Sequence, residues 1–166
     1  MDFIQHTTNW VKGEIFEATL FGSFGLLTII FSLLLWKFGE TPNSKALIIP
    51  LAIVGAIFLA TAIGNIAGNN KKIPQFTEAF KKDKTEFVKS EKKRVEDFQY
   101  LYKMTIIIAS VCFAVAISFF LFTNNHILKA IGISLIIFGL TGLIIDYFSK
   151  ERADKYYELI LKHNQE

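Results

Sequence analysis

ALIIPLAIVGAIFLATAIGNIA, residues 46–67, carries no charged side chain and is apolar nearly all the way round. A surface helix of a soluble domain would show one apolar stripe and one polar face instead. At about 1.5 Å of rise per residue, this stretch is long enough to cross the roughly 30 Å hydrocarbon layer of a bilayer. Moving outward, Ala18–Trp36, Met104–Phe122 and Ile127–Ile145 repeat the pattern, with Lys129 the one charge among them. Hydrophobic residues make up 52% of the chain and charged residues 20%, so the charges are crowded into the segments between and beyond the four runs. The pattern predicts an all-α integral membrane protein with four transmembrane helices arranged as two tandem hairpins, each followed by an amphipathic cytoplasmic helix.

The boundaries follow from breakers and charge. Residues 1–13 read as an interfacial N-terminal segment anchored by Trp10, and 14–68 as the first transmembrane hairpin, turning at Gly39 and Pro42. GNNKK, residues 68–72, reads as a turn, with Pro74 in the first turn of a new helix. Residues 74–103 form an amphipathic cytoplasmic helix with no breaker before the third span, so one helix is expected from Pro74 to Phe122. Residues 104–145 are the second hairpin and 146–166 a cytoplasmic C-terminal helix. Pairing of the two charged helices would bury Phe80, Phe87, Val95, Tyr157 and Leu161. Each half thus has the same order of parts, a parallel twofold plan unlike the inverted repeats of many transporters.

Charge sets the orientation. Ten of the eighteen basic residues lie between the second and third spans, from Lys71 to Lys103. By the positive-inside rule that segment is cytoplasmic, which places both termini inside and suits a bacterial inner membrane. The first run begins late, without a basic leader or a small-residue cleavage pattern, and is expected to remain as a span. Cys112 is the single cysteine and lies within the third span, which leaves no intramolecular disulfide and reads as packing.

The second span holds small residues at every fourth position, Ala52, Ala56, Ala60, Gly64 and Gly68. Such a stripe lets another helix approach closely, and packing within the monomer is the leading reading, a homo-oligomer seam the next. Gly22 and Gly25, Ser110, Ala114 and Ser118, and Gly132 and Gly139 offer partner faces.

No carboxylate, histidine or basic side chain falls near the centre of a span, which weighs against proton-coupled transport and intramembrane hydrolysis. Polar groups gather at the inner ends instead: Glu14 and Glu17, Asn65 and Asn69, and Asp146. All lie at a similar depth and are candidates for a polar ring or cation site, with Lys103 or Arg152 as counterions; ordinary interface polarity is the plainer reading. Lys89, Lys92, Lys93 and Arg94 are candidates for contact with lipid headgroups or an acidic partner. The chain lacks Glu-x-x-His pairs, zinc spacings, nucleophile elbows and phosphate-binding glycine loops, so no catalytic residue, metal or cofactor is assigned and no nucleic-acid partner is expected.

These features predict a non-enzymatic, small multi-pass membrane protein acting by helix packing and cytoplasmic-helix interactions, as a scaffold, accessory or regulatory subunit. Its partners would be the lipid bilayer and either a second copy of itself or another membrane protein. The alternative is a homo-oligomeric cation channel or membrane-permeabilising effector. A third reading is a small transporter or lipid-acting membrane enzyme using the inner-end carboxylates.

Overall fold

A computed structural model describes residues 3–163, and these form four long α-helices: α1 (Phe3–Phe38), α2 (Pro42–Lys82), α3 (Lys84–Phe122) and α4 (His126–His163). All four are long and apolar enough to cross a membrane. Their outward faces expose Leu27, Phe31, Ile53, Ile57, Ile107 and Ile144, an apolar surface that suits lipid and not water.

Local chemistry sets each break. Pro42 opens α2, and the Thr41 hydroxyl caps it by accepting the Ser44 N–H at 3.1 Å. The Asn125 carboxamide oxygen accepts the Ile127 N–H at 2.8 Å at the start of α4. Between α2 and α3 a single residue does both jobs. Asp83 donates its own N–H to Ala79 O at 3.1 Å and accepts the Glu86 N–H at 2.9 Å on its carboxylate.

The expected boundary at GNNKK is therefore corrected. Residues 68–72 are helical, Pro74 lies inside α2, and the segment 74–103 is divided at Asp83 instead of running unbroken into the third span. Asn and Lys carry only mild helix penalties, and the continuous α2 brings Phe80 to the core and Phe76 against it. The N-terminal segment is also placed differently. Residues 3–13 begin α1, and Phe3, Trp10 and Val11 are buried in protein.

The charged ends of all four helices thus share one core. Phe3, Trp10, Val11, Phe80, Phe87, Val88, Val95, Tyr156 and Ile160 form it. Trp10 stacks on Tyr156 at 5.1 Å, and Phe3 stacks on Phe80 at 6.2 Å. Each such aromatic ring withdrawn from water contributes roughly 1.5–3 kcal/mol. On α4 the core residues are Tyr156 and Ile160; Tyr157, expected inside, is half-buried against that core, and Leu161, also expected inside, is exposed, a rotation of about one residue about the helix axis.

Along the spans α1 packs mainly on α2 and α3 on α4, with fewer contacts joining the two pairs. A Cβ on Gly25 would lie 2.8 Å from the Gly55 carbonyl oxygen, so these backbones touch and neither position admits a side chain. Ser32 donates across the same interface to Ile48 O at 2.7 Å. Gly132 and Gly139 sit against Ala116 and Ala109 of α3.

The small-residue stripe is not that interface. Ala56, Ala60 and Gly64 face outward, Ala52 and Gly68 are half-buried, and nothing lies within 4 Å of a Cβ built on Gly64 or Gly68. Four residues turn about 400° at 3.6 residues per turn, so a strict four-residue repeat drifts about 40° per step. The buried face of α2 follows Leu51, Gly55, Phe58 and Ala62, in steps of four, three and four, with Val54 beside them. Ser110 and Ser118 are likewise exposed and donate to their own helix, at Ile106 O and Ala114 O.

Candidate functional site

At the inner ends of the spans the helices part around a cavity of about 340 Å³. Glu14, Glu17 and Phe21 reach it from α1, Thr61 and Asn65 from α2, Phe98, Leu101, Tyr102 and Thr105 from α3, and Asp146 and Ser149 from α4. Four of the five polar candidates, Glu14, Glu17, Asn65 and Asp146, therefore line one space. Asn69 does not: it is buried and its carboxamide oxygen faces Lys72 Nζ at 3.4 Å.

Helical geometry explains the convergence. Glu14 and Glu17 are three apart, hence on one face of α1, and Gly13 beside them lets the Arg152 guanidinium approach the backbone to where a Cβ would stand 3.0 Å away. Arg152 Nη2 lies 3.7 Å from Glu14 Oε1 and contacts Glu17 Oε1 directly. One guanidinium is shared between two carboxylates, and among the described residues no salt bridge reaches Asp146. Burial pushes the Glu14 carboxyl up from its ordinary value, a shift only partly offset by Arg152, Arg94 and Lys72. Lys103, the other expected counterion, is exposed and does not line the cavity. The Tyr102 and Ser149 hydroxyls bond to each other at 3.2 Å along the wall.

Phe21 leads from the cavity into a buried aromatic cluster. Phe58, fully buried, lies 4.5 Å from Phe21 and stacks on Phe138 at 5.6 Å. A further cavity of about 160 Å³ adjoins, sharing Phe21, Thr105, Ile108 and Asp146 with the first and otherwise lined by Ala109, Phe138, Gly139 and Gly142. Polar groups thus ring the end of the spans nearest the shared core, and mostly apolar walls continue toward their middle. A larger cavity of about 520 Å³ lies between α2, α3 and α4 in the other half, but only Lys45 and Ser134 bring polar groups to it. Chemistry, not size, singles out the inner-end cavity. Among the described residues, no three His, Cys, Asp or Glu side chains are arranged to hold a metal ion.

A buried polar network lies just beyond. Glu91, 2% exposed, accepts two bonds from Arg94, one of them from Nε at 2.9 Å, and a third from the Tyr156 hydroxyl at 2.7 Å. With the phenol donating to Glu91, the Thr7 hydroxyl donates to the phenol oxygen at 2.7 Å. Burial and the adjacent Glu91 carboxylate raise the Tyr156 phenol well above its ordinary value, so it stays protonated as a donor.

One member of the expected headgroup cluster, Arg94, is placed otherwise by this network. Arg94 leaves Lys89, Lys92 and Lys93 on the surface and turns inward, its guanidinium 4.2 Å above the Trp10 ring and 4.6 Å from that of Phe76. Lys92 pairs with Glu96 at 3.9 Å. Sequence reading missed Glu91, Thr7 and Tyr156 as partners. The one local signal was the three-residue spacing of Glu91 and Arg94.

No known family, curated protein or solved structure matches the chain.

Proposed function

We propose that the chain is a non-enzymatic inner-membrane protein, both termini cytoplasmic, that acts as an accessory or regulatory subunit by binding a small ligand in the inner-end cavity. Its spans form two antiparallel hairpins, and the charged ends of the four helices form a cytoplasmic head. The excess of Lys and Arg in residues 71–103 supports that orientation. The observation that carries the function is the convergence of Glu14, Glu17, Asn65 and Asp146, from three helices, on one cavity.

Arg152 gives that cavity a route to the head. It stands one helical turn before Tyr156 on α4, so a ligand competing for Glu14 and Glu17 releases the guanidinium and alters the hold of α4 on α1. The bonds from Tyr156 to Thr7 and Glu91 carry the change to α1 and α3.

Native mass spectrometry of protein extracted gently from its own membrane tests the reading. A bound small molecule is expected on the wild type and is expected to be absent from Thr61→Trp, which fills the cavity. A wild type without any adduct, or an adduct that survives the filling, would overturn it.

Self-association is a second reading, favoured by the outward stripe at Ala56, Ala60 and Gly64. It also accommodates the cation channel, with a pore between copies. Gly64→Leu should then abolish cross-linked oligomers in membranes, and unchanged cross-linking would exclude this seam.

A further inference from the structure

The inner-end cavity has a charge, a depth and an opening, and together they define a class of ligand. Its lining is rich in acid: Glu14, Glu17 and Asp146 reach it, Arg152 pairs with the first two, and Arg94 and Lys72 act on Glu14 alone from further off. Glu17 is only 7% exposed, lines the cavity, and shares its salt-bridge partner Arg152 with Glu14. A buried carboxylate that shares one cation with a second acid is costly, and a second cation beside it relieves that cost.

The depth is apolar. Below the carboxylates the walls are Phe21, Ile108 and Ile145, leading to the compartment under Phe138 and Gly139. Phe98 and Tyr102 add aromatic faces beside the acids, a surface that attracts alkylammonium groups. The main volume stands near the lower end of the roughly 300–1,000 Å³ that small-ligand sites occupy, which suits one tail and not the pair carried by a phospholipid.

The opening faces sideways. The exposed lining residues are Thr61 and Asn65 on α2 and Leu101 and Ile108 on α3, two helices that meet only sparsely. Thr61 and Ile108 lie within the apolar spans, so the gap opens onto the inner leaflet as well as its interface. A solute from the cytoplasm has no need of such a slot, whereas an amphiphile dissolved in the leaflet reaches the cavity through it.

We infer that the ligand is a single-tailed cationic amphiphile, an amine or quaternary ammonium, entering between α2 and α3 with its charge at Glu17 and Asp146 and its tail against Phe21 and Phe138. This rests on the reading of the inner-end cavity as a ligand site.

The test is equilibrium binding to the full chain in lipid nanodiscs, corrected against empty discs, with three probes: decyltrimethylammonium, tetramethylammonium and decanoate. Decyltrimethylammonium should bind at least about tenfold more tightly than either of the others. Asp146→Asn and, separately, Glu17→Gln should each weaken it by a similar factor, and the milder Asp146 change guards against misfolding at Glu17. Equal binding of decanoate would overturn the charge assignment, and equal binding of tetramethylammonium the tail. Binding that ignores both substitutions would overturn the location. If none of the probes binds while extracted protein still carries a molecule displaced by Thr61→Trp, this inference fails and the ligand-site reading stands. If neither is seen, both fail.

Discussion

The Tyr156 hydroxyl donates to Glu91 Oε2 at 2.7 Å, joining α4 to α3 through a carboxylate that is almost wholly buried. A buried charge is tolerable only when its lone pairs are met, and Tyr156 meets one that Arg94 does not. Tyr156→Phe keeps the ring stack with Trp10 and removes the hydroxyl that donates to Glu91 and accepts from Thr7. It should lower stability by about 1.5–3 kcal/mol, read as the change in thermal midpoint in detergent. Tyr157→Phe removes a solvent-side bond to Glu96 and should cost no more than about 0.5 kcal/mol. Equal losses at the two positions would contradict the burial of the network.

The glycines divide in the same manner. Gly55 stands against the Gly25 carbonyl and the Ile29 side chain, with 2.8 Å and 2.6 Å available to a Cβ, while Gly64 has open space. Gly55→Ala should destabilise by about 1–3 kcal/mol through forced separation of α1 and α2. Gly64→Ala should leave the thermal midpoint of the detergent-solubilised monomer unchanged or slightly raised. A larger loss at Gly64 would mean that the stripe packs within the chain.

A pH dependence follows from Glu14, whose carboxyl is raised above 4.5 chiefly by burial. A group raised on folding lends stability that is complete below its ordinary value and is lost as pH climbs through the raised one. Glu14→Gln stays neutral and avoids that loss. The thermal midpoint of the variant relative to wild type should therefore rise with pH over the window that opens at 4.5. A difference that stays constant or falls over that window would contradict the assignment.

Different parts of the molecule were legible in the sequence for different reasons. Charge-free runs such as 46–67 declare their length and environment directly, so the four long apolar helices could be read without any tertiary information. Depth is also local, because rise per residue fixes how far Glu14, Glu17, Asn65 and Asp146 lie from the ends of their spans; hence their meeting at one level was anticipated. Rotation about the helix axis is not local. The regular stripe at Ala56, Ala60 and Gly64 pointed to the wrong face of α2, and Tyr157 stood in for Tyr156, because neighbouring helices decide which side is buried. The same limit hid Glu91, which looked like one more charge on a solvated face until Arg94, Tyr156 and Trp10 closed over it. Asp83 was passed over because a residue that ends one helix and caps the next resembles any other acid in a charged run.

The most direct measurement places a cysteine in the cavity, as Asn65→Cys in a Cys112→Ala background, and follows its modification in sealed vesicles of each orientation. Two membrane-impermeant methanethiosulfonates serve, one carrying trimethylammonium and one sulfonate. With the cavity cytoplasmic and acidic, labelling should occur only in inside-out vesicles, and the cationic reagent should outpace the anionic one by at least about tenfold relative to their rates on a free thiol. Modification from the outer face, or equal relative rates for the two reagents, would contradict the account of an acidic binding cavity at the inner end of the bundle.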